Sequence, residues 1–308
     1  MTLVGTGELA AAVSTAGGFG LVSAGRLSPD DFRAQIAEAR RRTPRSIGVN
    51  IPVSRDAEWM REAIAVAASE PIRAVVLGGG NPAPWVETIR ASGKALMIVV
   101  ADARQARKAE QLGAAIAIAE GVESGGKTSA DELSCMTLIP LVARAVGIPV
   151  VAAGGIVDGT TAAAALCLGA SGVQMGTRFL MSSESPVHPA TMRALVGGER
   201  RQTMIIGRSH GMHRRVVRNQ AAEDVARRET AASHADMISL LSGERSERGL
   251  RQGDVADGLI ACGQGLELID DVPSAAGILE RTIRQLSDTL FSTARRFDDW
   301  SLQQAARE

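Results

Sequence analysis

The sequence predicts an α/β fold, a TIM (β/α)8-type barrel whose first strand is missing and whose C-terminal part forms a helical cap. Short apolar runs, each followed by a helix-like stretch, recur along residues 21–175. Such alternation is typical of parallel sheets, and this many repeats favours a barrel over an open sheet. Several runs end in glycine, as do the turns on the ligand-binding rim of a barrel. Beyond Leu180 the alternation stops, which marks the start of the cap.

The first elements of the chain are predicted from apolar spacing and from a helix cap. Apolar spacing predicts a helix over 8–14, and a glycine-rich turn then leads into the apolar run 21–24. Ser28 supplies an N-cap hydroxyl, Pro29 suits the first helical position, and two acidic residues follow in the first turn. A helix is therefore predicted from this cap to about Arg42.

The same reasoning along the chain gives seven strands. The predicted strands are 21–24, 47–50, 74–77, 95–100, 115–119, 149–153 and 172–175, and the helices after the first are 28–42, 57–68, 85–91, 102–112 and 158–168. A closed barrel of this type needs eight strands, and the residues before Glu8 do not supply one. A gap would leave two strand edges unpaired, which proteins normally avoid. Our hypothesis is that the chain as given lacks an upstream strand.

The C-terminal part has a different pattern. Residues 182–219 are polar and predict a loop-rich segment, and residues 243–254 predict a solvated loop or a mobile flap. A last amphipathic helix is predicted over 274–297, with one apolar stripe formed by Leu279, Ile283, Leu286 and Leu290. We therefore divide the chain into a barrel, 1–181, and a cap on the barrel mouth, 182–308, which is not an independent domain. The last helix also offers a face for a homodimer.

Composition narrows the functional classes. Lys and Arg together number 34, as do Asp and Glu, so no basic excess indicates nucleic acid or an anionic membrane as a partner. Three cysteines without metal-ligand spacing favour a reducing, cytoplasmic setting and no metal site. No apolar run approaches the length of about 18 residues that spans a membrane, and no secretion leader is present. We therefore expect a cytoplasmic protein.

Two neighbouring turns are the strongest functional signal. The run 149–153 ends at Gly154 and Gly155, and the run 172–175 ends at Gly176 and Thr177. Because consecutive parallel strands end at the same rim, their backbone N–H groups can converge on one anion, as in barrels that bind a phosphate after their last two strands. Ordinary strand-to-helix turns also use glycine, so one such pair alone leaves both interpretations open.

The other strand-end loops offer few strong acids or nucleophiles. Asn50 and a glycine triplet follow two strands, and Glu120, Glu123 and Lys127 follow a third. The two glutamates could form a carboxylate pair, but nothing else indicates glycoside or phosphoryl chemistry. Lys127 could be a proton donor, an anion-binding cation or a plain exposed lysine. A rim rich in backbone donors suits chemistry carried by a bound cofactor.

Six segments together carry a resemblance to a known family. In order along the chain they are 9–20 (LAAAVSTAGGFG), 48–50 (GVN), 79–82 (GGNP), 119–127 (AEGVESGGK), 151–159 (VAAGGIVDG) and 172–179 (GVQMGTRF). The sequence closely resembles the nitronate monooxygenase family, formerly called 2-nitropropane dioxygenases, which includes the FMN-dependent enoyl-acyl-carrier-protein reductases. The similarity covers nearly the whole chain, and its tail (184–189, 215–220 and 263–264) is more like the reductase branch.

This resemblance implies an FMN-binding barrel and names the residues of its site. Asn50 and Gly125 would lie along the flavin, and the FMN phosphate would be held by Ala153, Gly154, Gly155, Gly176 and Thr177. The resemblance favours a flavoprotein that oxidises alkyl nitronates with dioxygen to a carbonyl compound and nitrite. The alternative is an enoyl-acyl-carrier-protein reductase that uses NADH or NADPH and an acyl-thioester substrate. A second alternative is a catalytically impaired barrel of the FMN-binding type, which binds FMN weakly or not at all and has lost the chemistry.

The sequence departs from the family pattern at two places. The family has a catalytic histidine after the Gly-Gly pair, and here that place is Lys127. A lysine is a poor proton shuttle near neutral pH unless burial lowers its pKa, but its cation can hold an anionic nitronate or enolate. Lys127 is therefore our candidate catalytic residue. The family also begins with a flavin-lining strand that ends in Gly-Met, and this sequence begins at what corresponds to that methionine, Met1.

Overall fold

The core of the fold is a parallel sheet that curls into a half-barrel. The computed structural model describes residues 1–25, 27–197 and 202–305. Seven neighbouring strands pair in the order β1-β2-β3-β4-β5-β7-β8, and every pair is parallel. They are β1 Leu21–Ser23, β2 Gly48–Pro52, β3 Ala74–Gly78, β4 Ala95–Val100, β5 Ile116–Glu120, β7 Val150–Ala153 and β8 Gly172–Gln174. The predicted barrel-type architecture is confirmed.

Helices follow the strands on the outside of the sheet. They are α1 Gly7–Thr15, α2 Pro29–Arg42, α3 Ala57–Ser69, α4 Val86–Ala91, α5 Ala103–Gln111, α6 Cys135–Ala143, α7 Gly159–Cys167 and α8 Thr177–Leu180. The Ser28 hydroxyl caps α2 by accepting from the Asp31 N–H, as the sequence predicts. Asp158 and Thr161 form a reciprocal capping box at the start of α7. Helix α6 has no counterpart in the sequence prediction, and it accommodates Pro140 in its interior.

The strand side chains alternate between two apolar layers. Val49, Val75 and Leu77 face the outer helices and belong to the main buried cluster. Val76, Ile118 and Ala153 form a small cluster inside the half-barrel. Because both faces are covered, the strands read as nearly continuous apolar runs. The residues inside the half-barrel are small near the carboxyl ends of the strands, and their small side chains leave room for a cavity there.

Strands β1 and β8 form the two edges of the seven-stranded sheet. The chain start lies between them. The Gly5 carbonyl accepts from the Ser23 N–H at 2.8 Å. The Met1 side chain lies against Gly176, with its sulfur 3.7 Å from the position that a Cβ would take there. The segment 1–5 thus contacts both edges, and the hypothesis of an upstream strand stays a prediction.

The C-terminal part contains a second, antiparallel sheet that the sequence did not predict. Its strands, in the order β6-β10-β9, are β6 Gly126–Lys127, β9 Thr203–Ile206 and β10 Arg214–Val217. The predicted loop-rich character of 182–219 is therefore wrong for β9 and β10. Both strands are only four residues long, and β10 begins with two arginines, so their apolar patterns are weak. Strand β6 belongs to the loop after β5, so this sheet ties the tail to the barrel rim. The division into barrel and cap stays an interpretation.

The remaining helices belong to the C-terminal part of the chain. They are α9 Pro189–Gly197, α10 Gln220–Arg228, α11 His234–Leu240, α12 Gly243–Arg251 and α13 Ala275–Ala305. The expected loop or flap over 243–254 is wrong for most of its length, because α12 is a charged helix that buries Leu250. Because most of its residues are charged or polar, the sequence of α12 shows no clear apolar pattern, although the helix packs through Leu250. Among the described residues, no helix is both long and apolar enough to cross a membrane.

Helix α13 is confirmed, but its predicted apolar stripe is only half right. Leu279 and Leu286 pack against buried clusters, whereas Ile283 is 63% exposed and Leu290 is 39% exposed. The face of α13 that is buried is therefore rotated from the predicted stripe. This face is set by a very close approach to α7, where a Cβ on Gly159 would lie 2.2 Å from the Leu286 nitrogen. Such an approach is set by a glycine on the partner helix, which periodicity cannot reveal. A homodimer through α13 stays a prediction.

A buried ion pair fixes the tail to the barrel. The Arg178 side chain, 7% exposed, donates to the Asp271 carboxylate at 3.0 Å and to the Asp271 carbonyl at 2.6 Å. Arg281 donates to the second Asp271 oxygen at 2.6 Å. These contacts, led by the Arg281 hydrogen bond, lower the pKa of Asp271 below its ordinary value.

We expect Asp271→Ala to lower the free energy of unfolding by about 2 kcal/mol, because it leaves a buried guanidinium without its charged acceptor. Urea denaturation at pH 7 measures this loss, and Asp270→Ala, at the neighbouring exposed carboxylate, is the control. The carboxylate contribution is complete above the unfolded pKa of about 4 and disappears as pH falls through the lower folded pKa. Equal stability of the two variants would contradict this role of Asp271.

Candidate active site

A cavity of about 500 Å³ lies at the carboxyl ends of the barrel strands. Its floor and sides come from the ends of the strands and the loops that follow them, and its cover comes from the C-terminal part, including Arg214, Leu241 and Leu250. The structure brings all eight sequence-predicted site residues to this one cavity: Asn50, Gly125, Lys127, Ala153, Gly154, Gly155, Gly176 and Thr177. Their convergence is a result of the fold, and their individual roles stay predictions.

The two glycine turns lie at the same level of the sheet. Ala153 of β7 pairs in register with Gln174 of β8, so the residues that follow each strand emerge side by side. Gly154 and Gly155 have φ values of 108° and 69°, a region that favours glycine. A side chain on either one would meet the loop after β5. A Cβ on Gly176 would contact only the Met1 side chain, which also lines the cavity.

The tail contributes directly to this rim. The Thr177 hydroxyl accepts from the Gly263 N–H at 2.9 Å, and the Glu123 carbonyl accepts from the Gln264 N–H at 2.8 Å. A Cβ on Gly263 would lie 2.6 Å from the Glu123 carbonyl oxygen, so only glycine permits this close contact. The loop at 263–264 therefore closes the cavity beside the two glycine turns.

Lys127 lies on β6, over the mouth of the cavity. Its ammonium donates to the Gly79 carbonyl, and its cross-strand partner in β10 is Arg214. Partial burial, followed by the charges of Arg214 and Arg55, lowers the pKa of Lys127 below its ordinary value. The Arg214 guanidinium donates to the Leu241 carbonyl at 2.8 Å and also lines the cavity. Two cations thus face one cavity.

The two glutamates after β5 have separate environments. Both Glu123 oxygens accept from the Cys135 N–H at the start of α6, at 2.9 and 3.0 Å, so this carboxylate caps a helix. Glu120 lines the cavity, and burial raises its pKa above the ordinary value. They do not act as a catalytic carboxylate pair. The Cys135 thiol has its pKa raised by burial and by Glu123 to about 12, so it is not an activated nucleophile.

Sequence reasoning missed Arg214 and set Glu120 aside. Arg214 belongs to the basic run 213–218, which is 90 residues beyond the barrel loop that it faces, and only the pairing of β10 with β6 brings it to the cavity. Glu120 ends β5, and its position at the end of a barrel strand was a usable signal.

The cavity has the features that FMN requires of a site. Its volume is within the range of roughly 300–1,000 Å³ that small-molecule sites occupy. The Ser124 hydroxyl is buried beside the Glu120 carboxylate, and both residues line the cavity. The glycine turns present backbone to the space where β7 and β8 end. A phosphate would find backbone donors there, and Lys127 and Arg214 add positive charge nearby.

Comparisons with known proteins show the family of this chain. Residues 1–285 match the family model for nitronate monooxygenase. A nitronate monooxygenase from Pseudomonas aeruginosa is 30% identical over 267 residues, which cover 72% of this chain and 76% of that protein. A 5-hydroxy-7a-methyl-1-oxo-octahydro-1H-indene-4-carboxyl-CoA dehydrogenase from Mycobacterium tuberculosis is 28% identical, covering 92% of this chain and 90% of that protein. The structure of FabK from Thermotoga maritima superposes with a TM-score of 0.88 at 36% identity, over 96% of this chain and 93% of that one.

Proposed function

Because the chain belongs to the nitronate monooxygenase family, we propose that it is an FMN-dependent oxidoreductase that acts on acyl thioesters. Family membership makes it an oxidoreductase, whereas FMN and the thioester are the proposal. The observation that carries the substrate class is the loop at 263–264. This loop belongs to the tail that resembles the reductase branch, and it forms the cavity wall beside Thr177. The similarity to a carboxyl-CoA dehydrogenase supports the same class.

Each predicted residue has a specific task in this proposal. The turns of β7 and β8 would hold the FMN phosphate through Ala153, Gly154, Gly155, Gly176 and Thr177, and Asn50 and Gly125 would lie along the ring system. Bound FMN would supply two-electron chemistry between NADH or NADPH and the thioester. The cap residues exclude water from the cavity, which strengthens the electrostatic interactions inside it.

Lys127 and Arg214 would stabilise negative charge on the substrate. An enolate forms when an enoyl thioester gains hydride at its β-carbon or when a thioester loses a proton from its α-carbon, and a nearby cation lowers the energy of that enolate. The lowered pKa of Lys127 also brings its ammonium closer to the range in which it can donate a proton. In this proposal Lys127 takes the place of the family histidine. Its main role is to supply a positive charge, and its lesser role is to donate a proton.

Nitronate oxidation, which the sequence alone favoured, is the second candidate. The relative from Pseudomonas aeruginosa carries that name, and two cations beside one cavity would also suit a small nitronate anion. The third candidate, a barrel with impaired catalysis, is motivated by Lys127 in place of the family histidine and by the missing upstream strand. These candidates differ in electron donor, so one experiment separates them.

The test is anaerobic reduction of the FMN-loaded protein, followed by flavin absorbance. We expect NADH or NADPH to bleach the flavin and an enoyl-CoA to restore its colour. Bleaching by an alkyl nitronate alone would select nitronate oxidation instead. Protein that stays colourless after soaking in FMN would overturn the proposal and favour the impaired barrel.

A further inference from the structure

A second cavity, of about 720 Å³, lies next to the candidate active site. We call it the outer groove. It runs along α5, from the first turn of this helix to its end, and past the loop after β3. Its polar lining includes Arg104, Gln105, Arg107 and Lys108 on α5 and Asn81 in the loop. None of the residues predicted for the FMN phosphate lines it.

The outer groove adjoins the candidate active site. Gly79, Val99, Glu120 and Lys127 line both cavities. The junction is formed by the hydrogen bond from the Lys127 ammonium to the Gly79 carbonyl. Gly79 has a φ of 86°, and a Cβ there would lie 3.6 Å from the Lys127 ammonium nitrogen. A long ligand can therefore occupy the outer groove and place one end beside Lys127.

The outer groove is positively charged. Four cations line it, Arg104, Arg107, Lys108 and Lys127, against a single acid, Glu120, whose pKa is raised by burial. Arg104 lies 3.8 Å from Asp102, but Arg107 and Lys108 make no ion pair with any carboxylate among the described residues. The whole chain has a formal net charge of zero, so this local excess is not a consequence of composition. Uncompensated cations along a cavity favour an anionic ligand.

We propose that the outer groove binds the phosphate-bearing arm of a long ligand whose reactive end enters the candidate active site. This inference rests on the proposed function, because that function requires ligands of this kind. Arg104 and Arg107 lie on one helix and can share a phosphate through charge-assisted hydrogen bonds. Two ligands carry such an arm: the dinucleotide of NADH or NADPH, and the phosphorylated arm of an acyl thioester.

An exposed basic helix face can also serve solubility alone. Two features argue against that for α5. Its cations line a cavity of about 720 Å³, and that cavity shares Glu120 and Lys127 with the candidate active site. A merely solvated face has no such connection to an interior site.

The test is ligand affinity of the FMN-loaded protein, measured by calorimetry with NADH, NADPH, coenzyme A and pantetheine, which carries no phosphate. We expect the double variant Arg104→Gln/Arg107→Gln to weaken binding of at least one phosphate-bearing ligand by about tenfold or more, since each charge-assisted bond contributes about that factor. Pantetheine should bind equally to both proteins. Arg61→Gln, which removes an exposed cation on α3 outside both cavities, should leave all affinities unchanged.

The outcomes identify the ligand and separate this inference from the proposed function. A loss confined to the nucleotides assigns the groove to the electron donor, and a loss confined to coenzyme A assigns it to the thioester. If thioester turnover is absent but the double variant still loses affinity, the proposed function fails and the groove assignment stands. Equal affinities for wild type and double variant, or no phosphate-bearing ligand bound by wild type, would overturn the groove assignment.

Discussion

Replacing Gly176 with Asp should weaken FMN binding by about 100-fold or more. Gly176 lies in the second glycine turn, which we propose holds the FMN phosphate, and its only neighbour in the direction of a side chain is Met1, so a carboxylate there would project into the cavity. A carboxylate beside a phosphate, both shielded from water, costs several kcal/mol. The measurement is FMN affinity by flavin fluorescence, with riboflavin as the ligand that lacks the phosphate.

Two alanine variants separate charge from size and from folding. Gly176→Ala adds only a methyl group, so it should weaken FMN binding less than the aspartate does. Gly172 lies in β8, the strand that leads to Gly176; a Cβ there would meet only Val151 at 3.7 Å, and Gly172 lines neither cavity, so Gly172→Ala should leave FMN binding unchanged. The phosphate assignment would be abandoned if Gly176→Asp bound FMN as tightly as wild type, or if it lost FMN and riboflavin affinity equally.

Replacing Lys127 with Met should lower turnover by about 100-fold, the range that a lost proton donor or charge partner commonly gives. The ammonium lies at the junction of both cavities and has Arg214 as its cross-strand neighbour. Methionine keeps the length and the apolar stem of the side chain, so the change removes mainly the charge. FMN affinity should fall much less than turnover, because Lys127 is not among the phosphate turns.

The pH dependence tests the same residue. The pKa of Lys127 is lowered, so its charge is lost at a lower pH than in a free lysine. Turnover should be high below this pKa and decline as pH rises through it, and Lys127→Met should lack that decline. Lys94→Met is the matched control, because the Lys94 ammonium also donates to a backbone carbonyl, that of Ala68, at 2.7 Å, but far from both cavities. Equal pH profiles for wild type and Lys127→Met would remove Lys127 from catalysis.

Lys127→His restores the residue that the family has at this position. If lysine is a degraded catalytic position, the histidine should raise turnover, because its ordinary pKa lies near neutrality. Unchanged or lower turnover would mean that lysine is the functional residue at this position and not a degraded form of the family histidine. That result would favour anion stabilisation over proton transfer as the role of Lys127.

Local sequence was sufficient for the barrel. Apolar runs of four to six residues, bounded by glycine and by caps such as Ser28 and Asp158, located the seven strands of the parallel sheet to within a residue or two. These signals are local: a strand buried on both faces must be apolar throughout, and a helix start must supply a hydrogen-bond acceptor. The same signals were weak in the C-terminal part, where five of the nine residues of α12 are charged and β9 and β10 are only four residues long.

By itself, the sequence determined the parallel strands and the two glycine turns, because each depends on neighbours along the chain. The eight predicted site residues came from the family resemblance, and their roles stay predictions. Only the tertiary structure decided what covers that site. The pairing of β6 with β10 brings Arg214 opposite Lys127, and the close packing of Gly263 on Glu123 closes the rim. It also revealed the outer groove beside α5. These contacts join segments that are distant along the chain. Their stabilising free energy comes from tertiary packing, which local sequence patterns do not predict.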